Sequence, residues 1–134
     1  MRRIALLVSA AVLGVLPVAG CASDSPQAVV CDSLTAVQNS AQHVRETNVA
    51  ENGLNQLRTN LVQLRTDVQQ LIHNAKTQWA PQAQAIQSSL DQVSSAVTAA
   101  KTTPGATSFD AVRTALTGLE NSVKALGDAM RSTC

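Results

Sequence analysis

The sequence predicts an all-α fold, an antiparallel four-helix bundle running up, down, up and down. Two observations carry that expectation. From Val30 to Met130 apolar residues recur at steps of three and four, the spacing of one helix face, and strand-type alternation is nowhere as good. Apolar residues make up 45% of the chain, yet Trp79 and Phe109 are its only aromatics and Tyr is absent. The core must therefore be aliphatic, which suits helix-on-helix packing better than a β-sandwich. With 134 residues the chain has room for one domain.

Each helix has its own stripe. The first is Val30, Leu34, Val37, Ala41 and Val44, and the second runs through Leu54, Leu57, Leu61, Leu64, Val68, Leu71 and Ala75. The third is Ala83, Ile86, Leu90, Val93, Val97 and Ala100, and the fourth is Phe109, Val112, Leu116, Leu119, Val123, Leu126 and Met130. Asn52-Gly53 separates the first two helices as a C-cap or turn signal. Thr102-Thr103-Pro104-Gly105 separates the last two, followed by a Thr-x-x-Asp start in which Thr107 is the expected cap and Asp110 lies near the positive helix end. Glu120 and Lys124 form an expected i,i+4 pair.

The middle break admits two readings. In one, Asn74 ends the second helix, Thr77 caps the third, and Pro81 lies in the first turn, where its missing N–H costs nothing. In the other, the stripe threads through Leu71, Ala75, Trp79, Ala83 and Ile86, giving a three-helix arrangement with one long helix kinked at Pro81. The four-helix bundle is favoured because it buries all four stripes in one core.

The N-terminus is of a different kind. Met1-Arg2-Arg3 is a short positive segment, and the apolar stretch Ile4 to Leu16 after it is shorter than the roughly 20 residues that a membrane span needs. It reads as an export signal to be set apart from the fold. The stretch ends in Val18-Ala19-Gly20-Cys21, an aliphatic residue and two small ones before a cysteine. This resembles the lipobox of bacterial lipoproteins. The resemblance implies cleavage before Cys21, a diacylglyceryl group on its thiol, and amino-terminal acylation, since several acyl chains give stable anchoring where one gives little. Arg2-Arg3 lacks the surrounding motif of a twin-arginine signal. The expected organisation is a signal peptide over 1–20, a lipidated Cys21 with a polar tether over 21–29, and a helical domain over 30–134.

If Cys21 carries lipid, Cys31 and Cys134 remain, and an oxidising envelope permits them to close the bundle with a disulfide. The disulfide end then faces the membrane, because Cys31 follows Cys21 by only ten residues. Trp79 belongs to that end, either as a membrane-interface contact or as a plug on the end of the core. Asn52-Gly53 and the segment from Lys101 to Thr107 point away, where a partner has easiest access. The rest of the chain is similar in style to small Ala/Val/Thr-rich helical lipoproteins of actinobacteria, a class with no assigned activity. It ends in Arg131-Ser132-Thr133-Cys134 rather than in the lysine of wall-linked coiled-coil lipoproteins.

Little in the remaining sequence points to chemistry. His43 and His73 lie off the stripes, and only a reversed His43-Val44-Arg45-Glu46 stands where a di-metal bundle needs two Glu-x-x-His motifs, so no metal is expected. No nucleophile elbow, phosphate-binding glycine loop or His-Glu-x-x-His is present, so neither catalysis nor a cofactor is expected. Without Arg2 and Arg3 the chain has eight basic and nine acidic residues, with no basic stripe and no aromatic platform for nucleic acid. Twelve glutamines make the outer faces polar but weakly charged. Three functions suit such a molecule. One is a membrane-anchored module presenting a helical face to a protein partner. The others are a binder of lipid or another small apolar ligand in its core, and a self-associating spacer.

Overall fold

A computed structural model of the protein describes residues 25–134. The apolar leader, the lipobox residues Val18, Ala19 and Gly20, and Cys21 lie outside the described residues. The described chain is helical, with four long helices: α1 (Pro26–Glu46), α2 (Leu54–Ala75), α3 (Ala80–Thr102) and α4 (Ala106–Met130).

Helix α1 begins four residues before the expected domain boundary at Val30. The Ser25 hydroxyl accepts the Ala28 N–H at 3.1 Å, and Pro26 occupies the first turn, so the supposed tether supplies its own helix start. The helix ends at Glu46. Thr47 turns extended, and its hydroxyl donates to the His43 carbonyl at 2.7 Å. The Asn52-Gly53 signal therefore lies beyond the end of α1, in a 3₁₀ turn over Glu51–Gly53 that feeds α2. A side chain at Gly53 would collide with the backbone carbonyl of Asn48, so this turn requires glycine.

Four residues, 76–79, separate α2 from α3, and the continuous kinked helix is not formed. Lys76 has φ 55° and ψ −116°, and the Gln78 N–H donates to the Ala75 carbonyl at 3.1 Å, which is a type II′ turn. Trp79 follows in the left-handed region, at φ 57° and ψ 19°, and Pro81 sits in the first turn of α3. Two departures from expectation share this cause. Thr77 does not cap α3, because the helix starts only after the left-handed Trp79, and α2 ends at Ala75 rather than Asn74. Helix α4 likewise starts at Ala106, one residue before its expected cap. Thr107 is thereby drawn into the first turn, and Ser108 donates back to the Thr103 and Gly105 carbonyls at 2.7 and 3.0 Å.

The stripes form the core. Every one of their residues is buried except Ala41, Ala75 and Phe109, which are partly buried and pack against it. Contacts run from α1 to α2, α2 to α3, α3 to α4, and α4 to α1. Polar bonds fix the register of these pairs. Asn74 Nδ2 donates to Ser33 Oγ at 2.7 Å, Ser40 Oγ donates to Asp67, and Asn60 Nδ2 donates to Thr47 Oγ1 at 2.7 Å. As positions on the α1 side rise from 33 to 40 to 47, their partners on α2 fall from 74 to 67 to 60. Between α2 and α3, Arg65 pairs with Asp91 at 2.7 Å and Lys101 donates to Asn55 at 2.8 Å. Ser89 and Ser122 join α3 to α4 at 2.8 Å. Among the described residues no buried side-chain polar atom lacks a partner.

Candidate functional site

Three of the residues singled out in the sequence, Cys31, Cys134 and Trp79, lie at one end of the described chain. Cys31, in the second turn of α1, and Cys134, at the chain terminus, lie at disulfide distance with Cα atoms 5.6 Å apart. After Met130 the backbone makes a last turn in which the Thr133 and Cys134 N–H groups both donate to the Met130 carbonyl at 2.9 Å. That turn swings Cys134 toward α1. Gln27 adds a second tie, donating to the Thr133 carbonyl at 2.8 Å.

The turn carrying Trp79 is at the same end. Asn74, five residues before Trp79, bonds Ser33, which is two residues after Cys31. The Trp79 ring is half-buried and packs against the core, with its remaining surface exposed. The loops at the ends of α1 and α3 mark the opposite end. There Arg113 of α4 donates to the Val49 carbonyl at 3.2 Å.

A groove about 790 Å³ in volume runs along the seam between α1 and α4, starting at the Cys31–Cys134 pair. Leu34, Ala41, Val123 and Met130 form its floor, while Gln38, Gln42 and Asn121 line its sides. Charge is concentrated on the α4 wall. Asp128 takes a hydrogen bond from Lys124 at 2.7 Å and one from Arg131 at 2.6 Å. The Lys124 hydrogen bond holds the Asp128 carboxyl below its ordinary value. Slight desolvation opposes this, and the charges of Lys124 and Arg131 reinforce it. Lys124 thus pairs with Asp128 instead of the expected Glu120. Both are reachable at one-turn spacing, but Asp128 shares a second cation. Gly127 lies in the groove wall, where a side chain would press on the Gln38 amide at 3.3 Å.

The histidines are not brought together. His43 is exposed near the end of α1 and His73 is exposed near the end of α2. Among the described residues no three His, Cys, Asp or Glu side chains cluster as metal ligands do, and no helix is long and apolar enough to cross a membrane.

Sequence reading missed the polar rungs between α1 and α2. Ser33, Ser40 and Thr47 are seven residues apart, as are Asn60, Asp67 and Asn74, so a heptad of small polar residues was the available signal. A set of interhelical bonds at this spacing is a register device and not a reaction centre. Comparison with protein-family models, curated proteins and solved structures finds no match for this chain.

Proposed function

We propose that the protein is a lipid-anchored envelope module that engages a protein partner through the α1–α4 seam and performs no catalysis. Its architecture is an antiparallel up-down-up-down four-helix bundle. The falling order of α2 partners along α1, and of α3 partners along α2, is what opposed neighbouring helices produce. The lipobox Val18-Ala19-Gly20 directs lipid to Cys21, and the short distance from Cys21 to α1 keeps the disulfide end near the bilayer. Trp79, partly buried against the core at that end, touches the headgroup region in this reading, and its remaining exposed ring surface supports it.

The observation that carries the partner reading is the α1–α4 groove. Apolar stripes fill the interior, and Val62 is the only large hydrophobic residue exposed among the described residues, so no broad apolar face is left to drive association. Recognition falls instead to a recess with an aliphatic floor, where the amides of Gln38, Gln42 and Asn121 stand beside the charged Arg45, Glu120, Lys124, Asp128 and Arg131. The amides can pair with a partner's backbone, and the charged groups, of which Asp128 is already paired with Lys124 and Arg131, can meet its polar side chains.

The test is site-specific photocrosslinking in the native envelope. Crosslinkers at Gln42 and Asn121 are expected to give one discrete protein adduct, lost when Cys21→Ala frees the chain from the membrane. A crosslinker at Gln87 on α3 is expected to give none. Equal adducts from all three positions, or none from the seam, would contradict the reading.

A further inference from the structure

We propose a second binding site, in the groove between α2 and α3, for a free single-chain anionic amphiphile such as an alkyl phosphate. The proposal goes beyond the partner reading and uses a different face. Eight basic residues lie between Ser25 and Cys134, and three of them, Arg58, Arg65 and Lys101, line this one groove. No carboxylate lines it. Asp91 at its border engages Arg65, and Lys101 is held only by the neutral Asn55 amide. The Arg58 guanidinium makes no hydrogen bond or ion pair among the described residues, so a five-donor fork stands unused between these two links. That geometry suits a phosphate or carboxylate, which arginine binds through paired N–H donors.

Beside these cations lies an apolar strip. Val62 is 60% exposed, one turn along α2 from Arg58, and Leu61 and Val97 form the floor beneath. The ligand therefore needs an alkyl portion as well as an anionic head. Size decides between a small molecule and a peptide. At about 380 Å³ the groove is within the range of small-ligand sites, and the two helical turns from Arg58 to Arg65 span only about 10 Å. A docked helix needs more length than that. The groove extends toward Lys101 and Asn55, away from the disulfide end. On the anchored orientation proposed above, it takes its ligand from the aqueous side and not from the bilayer.

The experiment titrates the full chain, held in phosphatidylcholine nanodiscs, by methyl NMR. Octyl phosphate is expected to shift the Val62 and Val97 methyls saturably and leave the Val123 methyls of the other seam unmoved. Inorganic phosphate and octanol should each bind at least tenfold more weakly. Arg58→Ala should lower octyl phosphate affinity about tenfold, and Arg58→Lys should restore part of it, with unchanged Val123 resonances showing that the fold is kept. The proposal is overturned if either half-ligand binds as well as octyl phosphate, or if Arg58→Ala has no effect. It is equally overturned if an acidic peptide binds more tightly, or if the shifts appear only with phosphatidylglycerol in the disc. None of these results depends on whether a protein partner occupies the α1–α4 seam.

Discussion

Asn74 on α2 donates a 2.7 Å hydrogen bond to Ser33 on α1, and the Ser33 hydroxyl in turn donates to the Val29 carbonyl at 2.9 Å. One heptad along the direction is reversed, and the Ser40 hydroxyl donates to the Asp67 carboxylate. Ser33 and Ser40 are the buried polar residues of the described chain, and a helix pair slipped by one turn would leave both hydroxyls without these partners. Removing one member of such a pair leaves the other unsatisfied at a cost of about 1–3 kcal/mol. Asp67→Ala is therefore expected to lower stability in that range, while Ser40→Ala with Asp67→Ala should cost less than the two single changes added together. Urea denaturation of the four proteins measures this coupling, and strict additivity would remove the rung from the account.

The Cys31–Cys134 pair spans 103 residues of sequence. Closing a loop of that length restricts the unfolded chain by about 4–5 kcal/mol in the chain-entropy model, and measured gains are commonly smaller. Cys31→Ser with Cys134→Ser should therefore lower the thermal midpoint strongly while helical circular dichroism at low temperature persists, because the core stripes do not depend on the bond. A thiol assay on the unfolded, unreduced protein should find neither cysteine free. Two reactive thiols from these positions would show that the pair does not form.

Two turn residues make opposite predictions. Lys76 sits at the first central position of a type II′ turn, where φ is positive and glycine carries no Cβ penalty, so Lys76→Gly should stabilise the protein by about 1 kcal/mol. Gly53→Ala should destabilise it by about 1–3 kcal/mol or more, because the added methyl meets the Asn48 carbonyl and backbone must shift. Chemical denaturation of both variants reads the signs directly.

Asp128 sets a small pH dependence. Its carboxyl is held below its ordinary value first by the Lys124 hydrogen bond, so the folded state binds this proton less readily than the unfolded chain does. The resulting stabilisation is present above the unfolded carboxylate value and disappears as pH falls through the lower folded one. Carboxyl-detected NMR titration should place Asp128 below an ordinary aspartate, and Lys124→Ala should bring it back toward one. An unshifted Asp128 in the unaltered chain would show that the pair is broken in solution.

The fold was legible where the signal was periodic. The four stripes named the buried faces because a 3.6-residue repeat of aliphatic residues leaves one consistent inward side. Two break positions were legible too, through Gly53 and Pro104-Gly105, whereas Pro81 fitted both a turn and a kinked helix. Local chemistry at those breaks was not. Thr77 and Thr107 satisfy the sequence preference for a capping hydroxyl, yet neither caps, since a left-handed Trp79 and an early start at Ala106 moved the helix ends. Backbone angles of that kind depend on how the whole turn packs, and Lys76 and Trp79 give no local hint of a positive φ. The seam between α1 and α4 was hidden for a related reason. A stripe shows which face is inward but not how closely two neighbouring helices approach across it.

The central claim is that the chain is anchored through Cys21 with its folded domain held at the membrane. Intact mass spectrometry of the protein extracted from membranes tests it most directly. The account predicts a single species that begins at Cys21, carries a diacylglyceryl group on that residue with or without an amino-terminal acyl chain, and retains two further cysteines in oxidised form. A species that begins elsewhere, or one with an unmodified Cys21, would contradict it.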